Sequence, residues 1–296
     1  MALHVVVTGA GGFVGGFVAR WLAARGHEVT AISRRPPEPA AEVLPRLTWR
    51  DGDLRSPGSL PARFDVLIHC AAETPERCPE PANLYQRNMD VSRSVFEQLL
   101  ETRARAAVFL SSMAAYGKVE ATVITEDSPP GELEPYGRAK RDSENLLQSC
   151  VDRGLASALT IRLPGTVGKG SHDNFLSIAL RRVLSGETIK GRNPDSPFNN
   201  IVYVGDLAAF LHAWIVNSRS GYAVTNLGAT EPLKMREVLS LLFSFSGREE
   251  RVVFESGGKT PFLISIDAAL SLGYRPSTVR ESLKSFVRDS IQGTSE

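Results

Sequence analysis

Residues 8–15, Thr8-Gly9-Ala10-Gly11-Gly12-Phe13-Val14-Gly15, set glycines at G-x-x-G-x-x-G spacing between two patterned stretches. Ahead of them, 3–8 is short, apolar and valine-rich, as a strand buried on both faces requires. Behind them, 13–25 reads as a helix, and a second β-branched run, 28–33, follows Gly26 and His27. Strand, helix and strand in that order form a βαβ unit and predict a parallel sheet. In this context each glycine has its own physical reason. Gly9 permits a tight turn, Gly12 lets backbone approach a pyrophosphate, and Gly15 lets the helix pack close to the sheet. The anion then sits at the helix N-terminus, beside Phe13 and Val14. The context is that of a dinucleotide-binding turn.

The alternation continues outward. Buried-strand runs occur at 65–70, 106–112 and 156–163, with helical stretches at 83–101 and 136–153 between them. The fold class expected is α/β, a Rossmann-like doubly wound parallel sheet. The four prolines of 36–45 mark a mobile surface connection. Beyond Leu163 the alternation weakens. Stretch 165–200 carries scattered Gly, Pro and Asn around one helix at 174–184, the start of a smaller C-terminal substrate-binding lobe. A strand at 200–204 and a helix at 206–216 are expected to return to the sheet, followed by strands at 223–227 and 251–255 and two or three helices. The dinucleotide-binding domain is therefore 1–165 completed by 200–228, and the lobe is 166–199 with 229–296.

Composition limits the function. The 34 Lys and Arg against 33 Asp and Glu leave a net charge of +1, so attraction to nucleic acid or an anionic membrane has no electrostatic footprint. At 42% hydrophobic and 23% charged residues, the chain is of ordinary globular composition. Cys70, Cys78 and Cys150 are odd in number and lack C-x-x-C spacing, which suggests neither a disulfide framework nor a metal site. No apolar run approaches the roughly 18 residues of a membrane helix, and no signal peptide is recognised. A cytoplasmic protein acting on a small molecule is expected.

The second strand ends Ser33-Arg34-Arg35, where an NAD site normally offers a carboxylate to the ribose 2′-hydroxyl. Two guanidiniums there match a 2′-phosphate, which gives NADP(H) as the preferred cofactor and NAD(H) as possible. In Asp51-Gly52-Asp53-Leu54, a carboxylate either accepts from the adenine amino group or forms a turn. Tyr136 and Lys140, four residues apart, share a helix face, where the ammonium can lower the phenol pKa and hold the nicotinamide ribose. Ser112 closes a strand at the carboxyl edge of the sheet, where ligands bind. His69 reads as a satisfied buried histidine.

These pieces occur as T-G-A-G-G-F-V-G at 8–15, D-L at 53–54, I-H-C-A-A at 68–72, S-S-M-A-A-Y-G at 111–117, P-Y-G-R-A-K at 135–140, R-L-P-G-T-V-G at 162–168, V-Y-V-G-D-L-A at 202–208 and L-G-Y-R-P at 272–276. Together they resemble an extended short-chain dehydrogenase/reductase, the NAD-dependent epimerase/dehydratase family of sugar-nucleotide-modifying type. The resemblance implies Ser112, Tyr136 and Lys140 as a catalytic triad, with Tyr136 the general acid or base. It implies Ala71, Ala72, Pro164, Gly165 and Val167 beside the cofactor, Asn88 as the active-site asparagine, and a homodimer through helices 83–101 and 136–153. Met113-Ala114 stands where dehydratases of the family resemble one another in Asp-Glu, so dehydration is not expected. Asparagine in Pro197-Phe198-Asn199-Asn200 replaces an arginine that clamps the diphosphate in nucleotide-sugar members, and Arg192 is a candidate substitute. The arginines after the second strand favour a reductase acting on a keto group of a sugar or sugar-nucleotide. The alternatives are a nucleotide-sugar 4-epimerase and a non-catalytic cofactor-sensing protein.

Overall fold

The computed structural model describes residues 2–35, 44–78, 80–171, 174–217, 220–258 and 260–292. The prolines of 36–45 thus lie almost wholly outside the described residues. In chain order the elements begin β1 (His4–Thr8), α1 (Phe13–Ala24), β2 (Glu28–Ser33), β3 (Leu47–Asp51), β4 (Val66–His69), α2 (Leu84–Leu100) and β5 (Ala106–Ser112). They continue with β6 (Val123–Ile124), α3 (Pro135–Asp152), β7 (Ser157–Leu163), β8 (Gly165–Val167), α4 (Phe175–Leu184), β9 (Ile189–Arg192), β10 (Pro197–Phe198), β11 (Ile201–Tyr203) and α5 (Val204–Asn217). The last are β12 (Gly221–Asn226), β13 (Leu233–Lys234), α6 (Met235–Ser246), β14 (Val252–Glu255), β15 (Leu263–Ile264), α7 (Asp267–Ser271) and α8 (Val279–Gln292).

Two compact units result, one of 1–118, 129–162 and 211–225 and the other of 119–128, 163–210 and 226–296. The sequence places 200–210 in the dinucleotide-binding part; in the structure that stretch belongs to the second unit.

The first unit is built on a seven-stranded sheet of order β12-β7-β5-β4-β1-β2-β3. β1 pairs in parallel with β2 and β4, β2 with β3, and β4 with β5. Strand order therefore reverses at β1, where β2 and β4 leave in opposite directions, and the glycine turn follows β1. Alternate side chains take opposite faces. Val6, Ile32, Leu67, Ala107 and Phe109 pack with Val95, Phe96 and Leu99 of α2 and Leu147 and Cys150 of α3. Val5 and Val7, of the other parity, are equally buried on the opposite face. Burial on both faces explains why these strands read as continuous apolar runs rather than alternating ones.

Between the sheet and α3 lies a buried ion pair. Arg162 on β7 reaches Glu144 on α3 through Nε at 3.1 and 3.2 Å and a terminal nitrogen at 2.7 Å, with both side chains under 5% exposed. Burial works against the Arg162 charge, but the hydrogen bonds and charge of Glu144 outweigh it and hold the guanidinium protonated. Ser111 donates to the same carboxylate, and Arg162 donates to the Tyr116 hydroxyl at 2.7 Å.

The second unit has its own core of Leu176, Leu180 and Val183 from α4, Val238 and Leu242 from α6, and Leu283, Phe286 and Val287 from α8. Its strands form two-stranded ladders. β11 pairs with β8 instead of returning to the large sheet, which corrects the expectation for 200–204. The reason is Pro164, which has no N–H to continue the β7 ladder, so the chain leaves the sheet and β8 starts a separate pairing. The run at 223–227 does join the large sheet, as β12, and 251–255 supplies β14, paired with β9. Among the described residues no helix is long and apolar enough to cross a membrane.

Removing one partner of a buried pair strands the other charge. Glu144→Gln is expected to lower the unfolding free energy by about 3–5 kcal/mol, and the apolar replacement Glu144→Met/Arg162→Leu to regain most of it. Urea titration of the three proteins measures both, and a negligible loss in Glu144→Gln would remove the pair from the account of stability.

Candidate active site

The turn after β1 is shaped by backbone contact. Gly9 has φ +67°, and a Cβ there would stand 2.6 Å from the Ala71 nitrogen at the end of β4. Gly15 faces the turn more than the sheet, since its Cβ would meet the Gly9 carbonyl oxygen at 2.5 Å. Gly12 caps α1 without a side-chain hydrogen bond, so the first-turn N–H groups, those of Phe13 and Val14 among them, remain directed at whatever anion approaches.

Beside this turn opens a cavity of about 740 Å3, lined by residues of the first unit alone. It brings together Gly9, Gly12, Ser33, Arg34, Arg35, Asp53, Leu54, Ala71, Ala72 and Asn88, all singled out from sequence. Phe13, Val14 and Gly15 are not in its lining; they form the start of α1. The lining also includes Gly11, Arg55, Cys70, Glu73, Arg77 and Arg87, which sequence reasoning missed. Asp53 lines the cavity with its carboxylate already paired. Arg55 grips it through Nε at 3.0 and 3.1 Å and a terminal nitrogen at 2.6 Å, and these hydrogen bonds pull the carboxyl down to about 2. Asn88 is buried and spends its amide on backbone, accepting from Glu73 N at 2.9 Å and donating to the Glu73 and Leu84 carbonyls. It therefore fixes the loop after β4, whose Glu73 pairs with Arg87. Arg55 and Arg87 carry no pattern of their own in the sequence, where only their adjacency to Asp53 and Asn88 hints at them.

Ser112, Tyr136 and Lys140 form a cluster in the same unit. Pro135 opens α3, so Tyr136 lies in its first turn and Lys140 one turn later. Gly137 lets the helix close on the turn after Ser112, for a Cβ there would be 2.1 Å from the Ala114 carbonyl oxygen. Tyr136 lies close enough to Ser112 for the serine side chain to act on its phenol. The Lys140 Nζ donates to the Leu110 carbonyl at 2.7 Å and lies 5.7 Å from the centre of the Tyr136 ring. The expectation that Lys140 lowers the phenol pKa is not met in this arrangement. Burial pushes Tyr136 up to about 12, the Glu76 charge adds to that, and the Ser112 side chain opposes it. Burial likewise takes Lys140 down to about 8, against the opposing influence of Cys70 and Glu144.

His69 is fully buried, with Nδ1 2.7 Å from the Thr8 hydroxyl and its ring stacked on Phe109. Its Nε2 has no partner among the described residues, so the imidazole is only half satisfied.

Pro164, Gly165 and Val167 belong to the second unit, the last two on β8. There Asn199 clasps β15, donating to the Ile264 carbonyl at 2.8 Å and accepting from its N–H at 2.9 Å. The Asn200 amide oxygen is buried without a partner among the described residues. Arg192 is paired loosely with Glu255 at 3.8 Å.

The chain matches the NAD dependent epimerase/dehydratase family over residues 5–228. A UDP-glucose 4-epimerase of Streptomyces lividans is 24% identical over 94% of this chain and 92% of its own length. A second, from Azospirillum brasilense, is 27% identical over 85% and 80%. Among solved structures, MoeE5 in complex with UDP-glucose and NAD is 26% identical with a TM-score of 0.81, covering 98% of this chain and 99% of that one. The UDP-glucose 4-epimerase of Thermotoga maritima shares the fold, with a TM-score of 0.84 at 20% identity, covering 99% of this chain and 100% of that one. With the glycine turn, the seven-stranded sheet and this match over three quarters of its length, the chain belongs to the NAD-dependent epimerase/dehydratase family.

Proposed function

We propose that the protein is a nicotinamide-dinucleotide-dependent 4-epimerase of a nucleotide-sugar. The observation that carries this is the cluster of Ser112, Tyr136 and a buried Lys140, with Lys140 Nζ 5.7 Å from the Tyr136 ring, in a chain whose full-length relatives include UDP-glucose 4-epimerases. Those relatives, and the UDP-glucose and NAD of the 26%-identical solved one, favour epimerisation over the reduction of a keto-sugar that the sequence alone puts first.

The residues fit a dinucleotide. Gly9 and Gly12 leave backbone bare beside the cavity, and the uncapped start of α1 suits a diphosphate. Ala71 and Ala72 are small enough to border it, and Lys140 would hold the nicotinamide ribose. When bound, the dinucleotide would supply a nicotinamide able to accept a hydride from the sugar C4 and to give it back. The chain's own work is with the proton. Ser112 would hold the 4-oxygen, and Tyr136 would take its proton and give it back. Burial keeps the phenol protonated at neutral pH, so its use as a base requires the Lys140 ammonium to steady the phenolate. Pro164, Gly165 and Val167 are assigned to the nicotinamide side on the family pattern alone, as is a homodimer through α2 and α3.

The arginines favour a second reading, NADP(H) as the cofactor. Ser33 closes β2 with its hydroxyl bonded to Arg35 backbone, Arg34 and Arg35 line the cavity, and Arg55 occupies Asp53.

Two experiments test these readings. Purified protein is expected to interconvert UDP-glucose and UDP-galactose, or a related pair, without added reductant, and Tyr136→Phe to lose about a hundredfold or more in kcat while still binding cofactor. Turnover only with added NADPH and a keto-sugar would replace epimerisation by reduction. In titrations of NADP(H) and NAD(H), Arg34→Ala is expected to weaken the phosphorylated form by about tenfold and spare the other. Equal effects on both would remove the 2′-phosphate reading.

A further inference from the structure

Three consecutive residues at the end of β5 meet α3 at one-turn intervals. Ser112 lies beside Tyr136, the Leu110 carbonyl accepts from Lys140 Nζ, and Ser111 donates to Glu144 at 2.5 Å. Tyr136, Lys140 and Glu144 are each four residues apart and so form one stripe along the helix. The first two have roles in the proton transfer described above, and the third has none. Behind Glu144 stands Arg162, which also donates to the Tyr116 hydroxyl and lies 4.7 Å over its ring. Tyr116 ends the short helical turn that Ser112 caps. One buried pair thus touches the strand, the helix and the turn that carry the proposed triad.

Such a pair is a poor stabiliser, since apolar side chains of similar volume serve as well. Its placement gives it a different use. We propose that Glu144, held by Arg162, is a positioning residue for the reaction, the buried counter-charge to the Lys140 ammonium and the anchor of the β5 end that presents Ser112. The role rests on the reading of Ser112, Tyr136 and Lys140 given above.

The groups around Lys140 support it. From β4 and its end come His69, which burial takes down to about 3, and Cys70, which burial pushes up to about 12, so both are uncharged at neutral pH. From α3 comes Tyr136, held protonated, and from β5 the Phe109 ring, 4.6 Å from Nζ. Glu144, paired with Arg162 at 2.7 Å, is the carboxylate of this group. Burial drives Lys140 toward the neutral amine, and the Glu144 charge resists that. Removing Glu144 must therefore move the Lys140 midpoint further down.

The test is a titration of Lys140 by NMR in protein labelled at the lysine ε-carbon, with the resonance assigned by its loss in Lys140→Met. Wild type, Glu144→Gln and Glu144→Met/Arg162→Leu are compared, the double variant covering the case in which the single one fails to fold. The expected result is a midpoint near 8 in wild type, lowered by about one unit in Glu144→Gln and by a smaller amount in the double variant, where the opposing Arg162 charge is also gone. At pH 7, kcat for the epimerised sugar is expected to fall about tenfold or more in the double variant with KM little changed, despite a retained fold. A Lys140 midpoint unmoved in every folded variant, or a double variant with wild-type kcat, overturns the proposal. A wild type that epimerises nothing would sink the functional reading instead, and the titration would still decide the counter-charge.

Discussion

At the end of β1 the chain turns so tightly against the end of β4 that no side-chain atom fits between Gly9 and Ala71. That contact governs the rest of the first unit. Because β2 and β4 leave β1 on opposite sides, the turn sits where strand order reverses, and a crevice opens there by geometry alone. Gly9, Gly11 and Gly12 leave bare backbone in the crevice wall, and α1 begins after them with no side-chain cap on its N–H groups. The polar residues named around the cavity come from the ends of β2, β3 and β4, the loops that follow them, and helix α2.

Two electrostatic regimes lie within this one unit. Around the cavity, charge is exposed and arginine-rich, with Arg55 and Arg87 each tied to a carboxylate and Arg34 and Arg35 on the rim. Such pairs are screened and rearrange at little cost, which suits recognition of a charged ligand. Around Lys140, charge is buried and fixed by carbonyl, carboxylate and aromatic ring. There burial first, and neighbouring charge second, shifts the protonation of Lys140 and His69, and chemistry rather than recognition benefits.

Fold and site are unequally legible in the sequence. The βαβ start, the buried strands and the Tyr136–Lys140 spacing are readable because each is a local pattern enforced by periodicity or by a steric demand on glycine. Asn88 stands out in the sequence, yet what it does is hidden there, since its three bonds to the backbone depend on a loop conformation that no pattern encodes. The direction of the Tyr136 shift escapes the sequence because spacing reveals the ammonium and conceals the burial, and burial is the larger effect. Past Pro164, ladders of two to four residues are too short for a period to establish itself. The pairing of β11 with β8 is therefore a tertiary outcome that local sequence does not announce.

The chain passes between its two units after residues 118, 128, 162, 210 and 225, and one of these passages lies inside the continuous helix α5. Neither unit is a contiguous stretch of sequence. A ribosome making this protein therefore completes neither unit early: the edge strand β12 of the first is synthesised after β8, β9, β10 and β11 of the second but before β13, β14 and β15, so three of that unit's four ladders are still unpaired when β12 is made. The nascent chain must hold an open sheet edge beside β7 through that interval. It is a natural point for chaperone engagement, and truncation after the dinucleotide-binding motifs would leave the same edge exposed for good.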